Sequence, residues 1–176
     1  ISVNFISENK DVKLKFDTAN RKISNIGYLD ESNFLMNNIQ DIQQKKEYIL
    51  PALVQIQDYY KADTQFRKSL ETEISRLSSD TQDISKFPFI NYYNTNYAKY
   101  VEKNPAKKPL THEEIIDFLV KSNDMLETSS LMRPVLLAYL NIGPSTNVSA
   151  DIDKLLKAVN TETPRGQTVL SELIEI

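Results

Sequence analysis

The sequence predicts a mainly α fold: an irregular multi-helix bundle with a small N-terminal β-hairpin remnant. Three observations predict it. Apolar residues alternate with polar ones only before about residue 28, and recur every three to four residues from Asp30 onward. Glycine is confined to Gly27, Gly143 and Gly166, too few for the tight turns of an all-β protein. Helix-start and helix-stop signals punctuate the second half of the chain. The expected division is a β-hairpin remnant of an N-terminal β-domain over 1–28 and a helical domain over 29–176, with a sub-boundary at 104–110.

Each element follows from local chemistry. Ile1, Val3 and Phe5 share one face of a strand; Val12, Leu14 and Phe16 share the face of a second, with Lys13 and Lys15 opposite. Glu8 to Asp11 has the polar composition of the connection, and a shorter third strand is expected at Lys22 to Ile26. So small a sheet is marginal alone and favours further strands upstream. Phe34, Leu35, Ile39 and Ile42 then mark a helix capped by Asp30 or Ser32. Pro51 interrupts or restarts that pattern, which Leu50, Leu53, Val54, Ile56 and Tyr60 continue. Phe66, Leu70, Ile74 and Leu77 form a single stripe, ended or merely interrupted at Ser78 to Thr81.

Pro88 suits the first turn of the next helix, whose Phe89, Tyr93, Tyr97 and Tyr100 make an aromatic stripe. Asn104 to Leu110, with two prolines, reads as a linker. Thr111 and Glu114 form a capping box ahead of a buried stripe of Ile115, Ile116, Leu119 and Val120. Pro134 opens an apolar helix that Gly143 and Pro144 end. Ser149 is placed to cap the next helix, with Asp151 and Asp153 in its first turn. Thr163 and Pro164 start the last.

Composition narrows the function classes. A net charge of −3 and a pI near 5.3 argue against a phosphate-backbone partner. The absence of cysteine excludes disulfides, thiolate metal sites and a redox dithiol within this sequence. Isolated glycines exclude phosphate-cradling loops. No apolar run approaches the ~20 residues of a membrane span. Patterned segments at both ends, with no initiator methionine, suggest a piece of a longer protein.

Few residues suggest chemistry. His112 is the only histidine, so the paired histidines of a zinc helix or di-iron bundle are impossible, and its acidic neighbours Glu113 and Glu114 are explained by capping. Asp117 is the carboxylate most embedded in apolar sequence, and reads as the polar edge of its helix. Arg165 and Gly166 after Pro164 place a cation at a helix start, a weak pattern for an anion site. Asn147-Val148-Ser149 matches a glycosylation sequon by chance composition. The tyrosine- and asparagine-rich stretch from Asn91 to Tyr100 is mostly core, but Tyr92, Asn96 and Lys99 are expected to face outward as a partner surface. No catalytic residue, cofactor or metal is expected.

The order of segments carries a resemblance. Phe5 to Asp17 is similar to the last hairpin of the β-domain that opens many Bacteroidetes thioredoxin-like lipoproteins of the TlpA type. Asp124-Met125-Leu126-Glu127-Thr128-Ser129-Ser130-Leu131, then Val135 to Leu140, resembles the helical insert that follows. The helix after Thr163-Pro164 resembles the one leading into the thioredoxin domain. That domain and its cysteine pair are absent here, so the family's redox residues fall on no position of this chain. The resemblance implies a non-catalytic accessory region of an extracytoplasmic thiol–disulfide oxidoreductase or peroxiredoxin-like protein, lipid-anchored upstream. Its partners would be its own redox domain, client proteins or a second copy, with no nucleic acid and no membrane contact by this region. The alternative is a stand-alone helical module binding a peptide or glycan near Tyr92, Asn96 and Lys99.

Overall fold

The computed structural model describes residues 5–7, 11–19, 22–79, 82–102, 108–143 and 147–176, with the backbone alone over 22–25. The fold is mainly α with a small two-stranded antiparallel sheet near the N-terminus. The chain divides into two compact units, Ile1–Ile90 and Asn91–Ile176, and each is described by itself.

In the first unit β1 (Leu14–Ala19) pairs antiparallel with β2 (Lys22–Tyr28), Leu14 opposite Tyr28 and Phe16 opposite Ile26, with an irregularity at Asp17/Thr18. The hairpin therefore joins the second and third expected strands, and the third is longer than its pattern suggested. Residues 1–4 and 8–10 of the expected first hairpin lie outside the described residues, as do residues 20 and 21. Phe5 to Ser7 is not strand, and β1 is largely exposed, Phe16 included. β2 packs on the first helix.

That helix, α1 (Glu31–Gln44), is capped by Asp30 rather than Ser32: Asp30 Oδ1 accepts the Asn33 amide at 2.8 Å. Such a cap satisfies one of the orphan donors of the first turn. Asn33 is buried because it reaches the neighbouring segment. Its Oδ1 accepts the Ile6 amide at 2.6 Å and its Nδ2 donates to the Ile6 carbonyl at 2.9 Å, as a strand partner would. Beside this bracket Leu35, Ile39 and Ile90 form a small core, flanked by Ile6, Met36, Ile84 and Phe87.

Pro51 restarts the helix instead of breaking it. A π-helical turn spans Lys45–Ile49, the Leu50 amide reaching back five residues to the Lys45 carbonyl, and α2 (Leu50–Gln57) follows. The wider turn accommodates a residue that has no N–H and whose ring crowds the carbonyl four residues back. After a turn over 58–64, α3 (Gln65–Ser79) packs against α2. Thr64 Oγ1 accepts the Arg67 amide at 3.3 Å, and Arg67 closes the turn through the carbonyls of Gln57 and Tyr60. Of the expected α3 stripe, Leu70 and Leu77 are buried and Ile74 is half-buried. Phe66, at the helix start, is exposed with its ring against Tyr60, centroids 4.7 Å apart.

α4 (Pro88–Tyr100) contributes residues to both units. In the second unit its Tyr93 and Tyr100 are buried, and Tyr100 stacks on Phe118 at 4.2 Å. Residues 103–107 of the expected linker lie outside the described residues. α5 (His112–Lys121) begins with the expected capping box, Thr111 Oγ1 accepting the Glu114 amide at 3.2 Å and Glu114 Oε2 accepting the Thr111 amide at 2.9 Å. Its stripe is narrower than expected: Ile115 and Leu119 are buried, but Ile116 is half-buried and Val120 exposed. α6 (Met125–Thr128) and α7 (Met132–Leu140) follow. Pro134 sits inside the first turn of α7, not at its opening, where its missing N–H costs nothing. Gly143, with φ +64°, lies past the helix end as its position predicts.

α8 (Val148–Val159) is capped by Asn147, whose Oδ1 accepts the Ala150 amide at 3.1 Å. This corrects the expectation for Ser149, which lies within the first turn; the amide side chain two residues earlier occupies the cap. α9 (Pro164–Glu175) begins as expected, with Thr163 accepting the Gly166 amide at 3.0 Å. Leu126, Leu131, Val135, Leu136, Tyr139, Leu155 and Val169 join α5 in the core of this unit.

Candidate interaction surface

The three side chains expected to face a partner lie along α4 at successive turns. Tyr92 is half-buried, and its hydroxyl shares a hydrogen bond with Ser122 Oγ. Burial pushes its ionisation upward, with the Ser122 hydrogen bond opposing. Asn96 is half-buried and donates to the Tyr92 carbonyl at 2.8 Å. Lys99 is exposed, its ammonium 4.7 Å from the centroid of the Tyr100 ring. Hydrogen bonding to Tyr100 is the main cause that raises the Lys99 ionisation.

The other chemistry-bearing residues of this unit are held by their own neighbours. The His112 ring packs on Tyr139, centroids 4.5 Å apart. Tyr139 is fully buried, donates to the Asp151 carbonyl at 2.7 Å, and is pushed by burial up to about 12. Asp117 is exposed and pairs with Lys121 one turn on, as the polar edge of its helix should. Arg165 uses every N–H of its guanidinium. Nε and Nη2 grip both oxygens of Glu127, the latter at 3.1 Å. Nη1 donates to the carbonyls of Leu119 (3.1 Å) and Ser122, and Nη2 to that of Asn123 (3.0 Å). Leu119 and Ser122 lie at the end of α5, where carbonyls lack helical partners and a cation is favoured, while the Asn123 carbonyl also accepts the Leu126 amide at 3.2 Å. The guanidinium thus ties the start of α9 to α5 and α6, and offers no donor to an external anion. Nothing local in the sequence signalled this, since its partners lie about 40 residues away.

In the first unit an open cavity of about 330 Å³ adjoins the start of α1, bordered by Ser7, Asp11, Asp30, Glu31, Ser32 and Lys86 among others. Asp30 Oδ2 is buried with no hydrogen-bond partner among the described residues, while Oδ1 serves Asn33 twice. Among the described residues no group of three or more His, Cys, Asp or Glu is arranged to hold a metal ion. None of the described helices is long and apolar enough to cross a membrane.

The most unusual surface of this unit belongs to α2. Its sequence, Leu-Pro-Ala-Leu-Val-Gln-Ile-Gln, contains no charge, yet none of its residues is buried. Leu50, Leu53 and Gln57 are half-covered on the side toward α3. Away from α3, Ala52 and Ile56 are exposed, as are Ile49 at the end of the π-turn before α2 and Tyr59 in the turn after it, Tyr59 by 79%. Tyr48 is 66% exposed beside them, and the Tyr60–Phe66 ring pair extends the patch onto the start of α3. Of the residues that continue the apolar pattern past Pro51, Leu50 and Leu53 are half-covered while Val54, Ile56 and Tyr60 are exposed. Scattered apolar residues on a surface need no explanation, but a contiguous patch marks a contact site.

Compared with protein-family models, with curated proteins and with solved structures, the chain matches none.

Proposed function

We propose that this chain is a non-catalytic accessory region whose work is protein contact, within an extracytoplasmic thioredoxin-fold protein of the thiol–disulfide oxidoreductase or peroxiredoxin-like kind. The observation that carries the contact reading is α2, an uncharged helix with no buried residue. An apolar helix face left in water forgoes about 25 cal/mol for every Å² it fails to bury, so a partner that covers it gains that term. Two further facts support it: His112 is committed to Tyr139, and Arg165 to Glu127 and the α5 carbonyls. The redox context rests on the resemblance of Phe5–Asp17, Asp124–Leu140 and the Thr163-Pro164 helix to TlpA-type lipoproteins. A groove at Tyr92, Asn96 and Lys99 has weaker support, because the Tyr92 hydroxyl already has an internal partner.

The test is the reading frame that encodes the chain. A Cys-x-x-Cys motif following a predicted strand is expected within roughly two helices' length beyond Ile176. A stop codon directly after Ile176 would end the accessory-region reading.

A further inference from the structure

We propose that the exposed face of α2 is a self-association surface covered by a second copy of this chain. The proposal rests on the protein-contact reading above and names its partner. Ile49, Ala52, Ile56 and Tyr59 fall at intervals of three, four and three residues, the a/d spacing of a helix–helix seam. Tyr59 lies in the turn just beyond α2, where its amide donates to the Ile56 carbonyl at 3.1 Å. Small Ala52 in mid-seam leaves room for a bulky side chain from a facing helix.

Area and charge select the occupant. With Tyr59 79%, Tyr48 66%, Phe66 49%, Ile49 49%, Tyr60 44% and Ile56 41% exposed, the patch amounts to about 600 Å² of side-chain surface, taking 150–250 Å² for each whole aromatic. That is at the upper limit for a monomer's largest apolar patch. Two copies related by a two-fold axis bury it twice, about 1,200 Å², the lower bound of a specific interface. From Tyr48 to Phe66 the charged residues are Asp58, Lys61 and Asp63, all beyond the end of α2. Ile49, Ala52, Ile56 and Tyr59 themselves carry no charge, so an identical seam meets them without electrostatic conflict.

Sedimentation velocity on the 176-residue chain from about 1 to 200 μM tests this, with Ile56→Glu and a control on the same helix, Val54→Glu. Val54 is 43% exposed but lies off the seam. The expected result is a concentration-dependent dimer whose dissociation constant rises at least about 30-fold in Ile56→Glu, as for a central interface residue, and is unchanged in Val54→Glu. Far-ultraviolet circular dichroism should be the same for all three. A chain that stays monomeric, or a dimer indifferent to Ile56→Glu, overturns the proposal. A photo-crosslinking phenylalanine in place of Tyr59, used in the native cell, separates the two readings. Crosslinks to a different protein overturn the second-copy proposal but leave the contact reading standing. No crosslink to any protein brings down both.

Discussion

Gly166→Ala gives two opposed expectations, and the structure decides between them. By helix propensity alone, alanine inside α9 should stabilise by about 1 kcal/mol. Space forbids it. A Cβ at Gly166 would lie 2.1 Å from the Asn160 carbonyl oxygen, 2.6 Å from its carbon and 2.8 Å from Thr161 Cα. All three are backbone atoms, and ordinary carbon contacts begin near 3.5 Å, so the α8–α9 corner must open by about 1 Å. That corner cannot open freely. Asn160 sits in the left-handed region at φ 56°, the Thr163 amide donates to its carbonyl at 2.9 Å, and Thr163 Oγ1 donates to the same carbonyl at 2.8 Å. Overpacking costs about 1–3 kcal/mol, and disturbing the Thr163 cap about 1 more. Set against the propensity gain, the net is a loss of about 1–3 kcal/mol, a fall in Tm of roughly 2–12 °C. Urea unfolding followed by circular dichroism measures it, with Gly143→Ala as reference. Nothing among the described residues lies within 4 Å of a Cβ at Gly143, so the strain of its positive φ is the cost that applies, about 1–2 kcal/mol. A Gly166→Ala variant as stable as the parent, or more so, refutes the close-approach argument.

Two further outcomes concern ionisation. The Arg165 guanidinium holds the Glu127 carboxyl below its ordinary 4.5, so the pair stabilises the fold at neutral pH and that stability is lost as pH falls below 4.5 through the depressed value. Glu127→Gln should cost about 1–3 kcal/mol at pH 7 and flatten the acid limb of the urea-midpoint profile; an unchanged acid limb would count against the pair. Tyr139 is raised from 10.0 to about 12, a difference worth about 3 kcal/mol. This stability is fully present below pH 10 and is lost as pH rises through 12. Tyr139→Phe should therefore lose about 1 kcal/mol at pH 7 yet show a shallower decline between pH 10 and 12; parallel profiles would show that the phenol ionises without unfolding.

The sequence determined what depends on near neighbours. Caps at Asp30, Thr111 and Thr163, the glycine stop at Gly143 and the switch from strand to helix period are contests among residues a few positions apart, so they are legible in order. Where the local contest was close it was misread, as when Asn147 and not Ser149 capped α8. Only the tertiary structure decided what covers each face. Periodicity groups Phe66 with Leu70 and Leu77, yet Phe66 is exposed, its ring against Tyr60 in the turn beyond α2. The same limit hid the surface proposed as functional: the pattern puts Ile49, Ala52, Ile56 and Tyr59 on one side of a helix, and burial depends on what stands opposite. Asn33 bracketing Ile6, Arg165 closing α5 and Gly166 against Asn160 are likewise encounters between segments. A side chain's partner is set by where the chain returns in space, and the hydrophobic burial that brings it back acts without regard to distance along the sequence.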